Sequence, residues 1–138
     1  AAGLERINLR PDNAINLDWM LPAPAQGAIM VVCKDGDVYS LEACQLFHDA
    51  DTAICTKIER DFLRALMGGC STPISALAVR EGDAIAFRGN ILSLDGKQKK
   101  EISRTIAIND AANAGTKAAE ALLQDGGQEI LNAIRNEK

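Results

Sequence analysis

The spacing of apolar residues divides this chain into elements. Ile54, Ile58, Phe62 and Leu66 recur every four residues, with Cys55 and Leu63 beside them. That period predicts an amphipathic helix with one buried face. Lys57, Arg60, Asp61 and Arg64 fall mainly on the other side. Asp51 or Thr52 reads as its N-cap, and Gly68 with Gly69 as a left-handed C-terminal cap. Beyond it the period shortens to that of strands. Residues 74–80, 84–92 and 98–107 read as three strands, joined by "EGD" and by "LDGK", whose Asp-Gly is a hairpin signal. Asn109 or Asp110 is the predicted cap of an alanine-rich helix running to about Gln124. "DGG" ends it, and residues 128–136 form a last helix with Ile130, Leu131 and Ile134 inward. The second half is therefore predicted to be an α+β unit, a three-stranded antiparallel sheet with helices on one face.

The first third is patterned differently. Residues 1–7 read as the end of a short helix. Residues 8–26 are broken by three of the chain's four prolines and read as loop, with one short strand at 16–19. Residues 28–33, "AIMVVC", form a continuous apolar run, which predicts a strand buried on both faces of a mostly parallel sheet. No good partner strand lies near it in the sequence. Residues 34–38 read as a turn and 40–47 as a short helix.

Composition narrows the class. The chain has 138 residues, 47% hydrophobic and 25% charged, with a net charge of −4. That suits one globular domain, or one domain with a fragment, and the absent basic face argues against nucleic acid. No apolar run approaches the length of a membrane span, and no secretory signal is visible. The chain starts without Met, at "AAGLERINL", and reads as a piece of something longer. The four cysteines, at 33, 44, 55 and 70, include no C-x-x-C pair for zinc or redox work, so no metal site is expected. They read as free thiols of a reducing cytoplasm. Cys33, Cys44 and Cys55 read as small core residues.

The usual catalytic constellations are missing. His48 is the lone histidine, without a nucleophile at a recognisable spacing, and reads as a surface or capping residue. Asp49 and Asp51 suit capping better than acid–base work. "MGGC" and "DGG" end helices, so neither is a phosphate loop. Cys70 is the exception, because it falls on the predicted loop between a helix and a strand. The helix end before it carries a negative dipole, which does not activate a thiol. Cys70 therefore suits a thiol alkylated once better than a recurrent nucleophile. From the residues alone a structural cysteine explains it equally well.

The ordered set "LPAPAQGAIMVVC", "TAICTKIERDFLRALMGGCSTPISALA", "RGNILSLDGK" and "KAAEALLQDGGQEIL" resembles the C-terminal portion of the hydroxymethylbilane synthase family, also called porphobilinogen deaminases. The resemblance implies the last of three domains, an α+β domain with a three-stranded sheet. It implies that residues 1 to about 26 are the tail of the second domain. Residues 27 to about 45 would return to the first domain, with strand partners upstream, and 46–138 would be the third domain. It also implies a transferase that joins four porphobilinogen units head to tail, with loss of ammonia, on a dipyrromethane cofactor held by a thioether to Cys70. Gly69 and Ser71 flank that thiol, and Gln26 and Gly27 match the family's Gln-Gly at the cleft beside cofactor and substrate. The sequence departs from the family pattern at Ala25, usually Gly, at Met67, often Glu, and at Ser71 and Thr72, often Gln-Val.

The family's catalytic aspartate and most of its side-chain-binding arginines lie in the first two domains. No catalytic residue is therefore expected among these 138, and the chain alone is expected to be inactive. Segment 8–45, with its apolar run, is expected to promote self-association. The competing readings are a non-enzymatic α+β interaction module with a structural Cys70, and a thiol redox protein. The redox reading is weakened by the absence of a resolving cysteine at a familiar spacing.

Overall fold

The structure is a computed structural model that describes residues 2–9, 11–66 and 72–136. Helix α1 (Ala2–Arg6) and helix α2 (Val38–Gln45) belong to the first third. Helix α3 (Ala50–Ala65) opens the rest and leads to strands β1 (Ile74–Glu81), β2 (Ala84–Leu92) and β3 (Lys99–Ala107). Helices α4 (Ala114–Leu122) and α5 (Gln128–Asn136) close the chain. The α+β expectation holds: the sheet is antiparallel, in the order β1-β2-β3.

Alternation builds the core. Ile74 pairs with Ile91, Ala78 with Phe87 and Ile85 with Ile106, so the apolar residues of all three strands share one face. Ile58 and Phe62 of α3 and its C-cap Leu66 join them, with Ala118, Ala119 and Leu122 of α4 and Ile130, Leu131 and Ile134 of α5. Phe62 and Phe87, both fully buried, meet edge to face at 5.2 Å between centroids. No helix among the described residues is long and apolar enough to cross a membrane.

Several boundaries differ from expectation, each for a local reason. The N-cap of α3 is Asp49, not Asp51 or Thr52, because its carboxylate accepts the Thr52 N–H at 2.6 Å. The helix expected at 40–47 runs from Val38, since Asp37 accepts the Ser40 N–H in the same way. Neither Asn109 nor Asp110 caps α4. Residues 108–113 form a 3₁₀ segment first, and α4 starts after Asn113 without a side-chain cap. The helix expected to reach Gln124 ends at Leu122, where Asp125 and Gly126 leave helical geometry. The expected glycine cap at Gly68 and Gly69 lies outside the described residues.

Two predicted strands are absent. Residues 16–19 are irregular with a turn. Residues 28–33 are irregular and exposed, with Ile29 93% and Val32 78% accessible, where a strand buried on both faces was expected. A strand is held by its ladder partner, and the β1-β2-β3 sheet supplies none to this run.

The Asp49 cap has a pH signature. The Thr52 N–H and then the Thr52 hydroxyl hold this carboxyl below its ordinary value of 3.8. A depressed carboxyl stabilises the fold above its unfolded pKa, and that contribution is lost as pH falls through the folded value. Asp49→Ala is therefore expected to lower the melting temperature at pH 7, with the difference shrinking as pH falls below 3.8. A deficit that persists unchanged in acid would remove the cap from the explanation.

Candidate functional site

The expected site residues fall in two places. Gly69, Cys70 and Ser71 lie outside the described residues. In the sequence they follow the C-cap of α3, Leu66, and precede the first residue of β1, Ile74. Gln26 and Gly27 lie on an exposed turn at residues 24–27.

That turn is tightly bonded. The Gln26 N–H donates to the Ala23 carbonyl at 3.0 Å, and the Ala28 N–H to the Ala25 carbonyl at 3.2 Å. The Ala23 N–H donates to Gln26 Oε1 at 3.0 Å, which engages the amide oxygen of this exposed side chain. Gly27 has φ +88°, and no heavy atom stands within 4 Å of where a Cβ would be. Ala25 has φ +60°. A Cβ in the left-handed region costs about 1–2 kcal/mol, a cost glycine avoids. This gives the Ala25 departure a structural meaning. Ala25→Gly is expected to raise the urea midpoint by an amount equivalent to roughly 0.5–1 kcal/mol, after the unfolded-state entropy of glycine is counted. A lower midpoint would contradict the left-handed geometry.

Sequence reasoning missed the residue that fastens this turn. Glu59 sits on the buried face of α3 and is only 5% exposed. Its Oε2 accepts the Ala25 N–H at 2.6 Å and its Oε1 the Ala78 N–H of β1 at 2.7 Å. The signal was present, because a glutamate stands among Cys55, Ile58 and Phe62 on the apolar stripe. Such a position burdens the fold unless the carboxylate finds donors.

A pocket of about 360 Å³ lies at this junction, where Gln26 and Gly27 meet Cys55, Glu59 and Arg80. The Arg80 guanidinium is 3.4 Å from Asp51. Burial, followed by the negative charges of Glu59 and Asp51, pushes the Cys55 thiol upward. Cys55 is thus a protonated, buried thiol, as expected for a structural cysteine. Cys33 is instead exposed and Cys44 half-buried, against their expected place in a core.

A larger cleft, about 690 Å³, lies between residues 28–31, α2 and the outer face of α3, with Leu41, Phe47, Arg60 and Arg64 on its walls. Asp61 pairs with Lys57 and, at 3.4 Å, with Arg64. Arg60 Nη1 stands 3.5 Å from Met30 Sδ. His48 also lines this cleft and is exposed. No group of three His, Cys, Asp or Glu side chains among the described residues could hold a metal ion.

Two family models match the chain. Residues 53–124 match "Porphobilinogen deaminase, C-terminal domain". Residues 1–42 match "Porphobilinogen deaminase, dipyromethane cofactor binding domain". Among curated proteins, a porphobilinogen deaminase from Macrococcus caseolyticus is 35% identical over 140 residues, covering 99% of this chain and 45% of that protein. One from Listeria innocua is 34% identical, covering 98% and 45%. One from Syntrophotalea carbinolica is 37% identical over 136 residues, covering 97% and 43%. The chain thus spans a little under half the length of the relatives it matches.

Proposed function

Because the chain belongs to the porphobilinogen deaminase family, we propose that it is the C-terminal part of a hydroxymethylbilane synthase. The whole enzyme would join four porphobilinogen units head to tail, with loss of ammonia, and release hydroxymethylbilane for tetrapyrrole and heme synthesis. The observation that carries this reading is the ordered match of two models of one family, at residues 1–42 and 53–124, along one chain. It also supports taking 46–138 as the C-terminal α+β domain. Residues 1–45 are then the remnant of the second domain with the segment that returns to the first.

The residues suit a dipyrromethane. Cys70 supplies the one bond the cofactor needs, a thioether, with Gly69 and Ser71 on either side. The open space over Gly27 leaves the backbone of the turn reachable by a flat ring. With its oxygen engaged by Ala23, the exposed Gln26 keeps its NH₂ as the donor for an acidic side chain. Once bound, the cofactor supplies a fixed pyrrole end on which substrate units are added. Cys70 anchors it, while Gln26 and Gly27 orient what lies beside it. The acid–base and arginine groups belong to the rest of the enzyme, so this chain alone is expected to form no tetrapyrrole. The reaction substrate, porphobilinogen, is small and polar, which fits a cytoplasmic enzyme.

The test is the intact mass of the family-length protein. A mass greater than that of the polypeptide by one dipyrromethane, mapped to Cys70, supports the reading. A bare Cys70 in the family-length protein would overturn it and favour an interaction module. Self-association is a further part of the proposal, supported by the exposed run Ile29–Val32. Sedimentation of this chain is expected to shift with concentration, and a monomer at every concentration would count against it.

A further inference from the structure

We infer that Glu59 is a positioning residue whose carboxylate clasps the Ala25–Gly27 turn to α3 and β1, setting where Gln26 and Gly27 stand relative to the helix that precedes Cys70 in the chain. This rests on the reading above for the roles of Gln26, Gly27 and Cys70, while the clasp itself rests on geometry alone.

Four observations converge on it. First, the carboxylate is buried, and its two oxygens accept backbone N–H groups from segments 34 and 19 residues away. Its hydrogen-bond partners among the described residues are both backbone amides. A leucine there would complete the apolar stripe of α3 without any desolvation cost, so the acid is explained by the two donors it joins. Second, residues 21–25 lie along the free edge of β1. The Ala76 N–H donates to the Pro22 carbonyl at 3.1 Å, and Leu21 is buried beside it. The edge amides of Ala76 and Ala78 are thereby satisfied by this strap and by Glu59. Third, Ala25 keeps φ +60° despite its Cβ. Such strain persists where surrounding contacts over-determine it, and the Glu59 bond to the Ala25 amide is such a contact. Fourth, Glu59 stands about two helical turns before Leu66, the C-cap of the helix that leads to Cys70. The clasp thus ties the turn to the same rigid element from which the Cys70 segment departs.

The residues just past the turn behave differently. Residues 28–33 are exposed and irregular, and their amides have no comparable anchor in the sheet.

Hydrogen exchange on this chain tests the clasp directly. In the wild type the Ala25 amide is expected to exchange at least about tenfold more slowly than amides 29–33, as a part-buried charge-assisted bond implies. Glu59→Gln keeps the shape but turns an NH₂ toward one backbone donor. It is expected to remove that protection while leaving the β1 and β2 amides other than Ala78 unchanged. In the family-length enzyme, Glu59→Gln is expected to raise KM for porphobilinogen several-fold, with the covalent mass on Cys70 retained. An unprotected Ala25 amide in the wild type overturns the clasp without any variant. Faster exchange throughout β1 and β2 in Glu59→Gln assigns the residue a merely structural role and overturns positioning, as does an unaltered KM. If wild-type enzyme carries no mass on Cys70, the functional reading fails, and the exchange result still decides the clasp.

Discussion

Replacing Cys70 by serine in the family-length enzyme is expected to remove the covalent pyrrole entirely and to lower turnover by about a thousandfold or more, the scale on which loss of a covalent anchor is felt. Forming a thioether requires sulfur as the attacking atom. A cysteine presents a few per cent of thiolate near neutrality, whereas a serine hydroxyl is a weak nucleophile without an adjacent base. The helix before Cys70 closes at its C-cap Leu66, and the C-terminal end of a helix dipole does not favour an alkoxide. The other cysteines make the experiment specific. Cys55 is buried and its thiol is pushed upward, so it cannot substitute. Cys33 is exposed and open to ordinary alkylating reagents. Exposure alone therefore does not select the attachment site; recognition of the pyrrole around Gln26 and Gly27 is the expected selector. Cys33→Ser should keep the added mass and Cys70→Ser should lose it. A dipyrromethane mass surviving in Cys70→Ser would end the assignment.

Gly115→Ala is expected to be among the most destabilising single-methyl additions in the chain. Gly115 lies in the first turn of α4, buried against α3. A Cβ there would stand 2.1 Å from the Ile58 carbonyl oxygen and 2.9 Å from the Phe62 nitrogen. Both are backbone atoms of a helix and cannot rotate away, so α3 and α4 would have to separate. Separation would also open the contacts of Ala118 and Ala119, the small buried residues of α4. Overpacking costs about 1–3 kcal/mol when side chains can adjust, and a backbone clash belongs at or above the upper end. Urea denaturation of the two chains measures it. Gly3→Ala is the control, since nothing lies within 4 Å of that Cβ, and its midpoint should not fall. An unchanged midpoint for Gly115→Ala would mean that the two helices are not in backbone contact.

The contrast between these two positions shows what each level of description carries. Cys70 was singled out by order along the chain: a helix signal, two glycines, a thiol, then a strand signal. Gly115 was not singled out at all, because a glycine in an alanine-rich helix looks like a weak helix former until the opposing backbone is known. Glu59 lies between the two cases. Its place on the apolar stripe was readable, but its partners at Ala25 and Ala78 were not.

By itself, the sequence determined the elements whose signal is local. The four-residue spacing of Ile54 to Leu66 made α3, strand-patterned runs on either side of Asp95-Gly96 made the hairpin of β2 and β3, and the ordered motifs carried the family. Tertiary structure decided whatever depends on a partner distant in the chain. Residues 28–33 read as a buried strand, yet they have no ladder partner in the described sheet and are exposed. Asp49 displaced Asp51 and Thr52 as cap because hydrogen-bond geometry, and not residue type, selects among neighbouring acids and hydroxyls. The turn that presents Gln26 and Gly27 is held by a carboxylate 34 residues from Ala25. Periodicity reports which face of an element seeks burial, and contact between segments decides what that face, or a charge within it, finally meets.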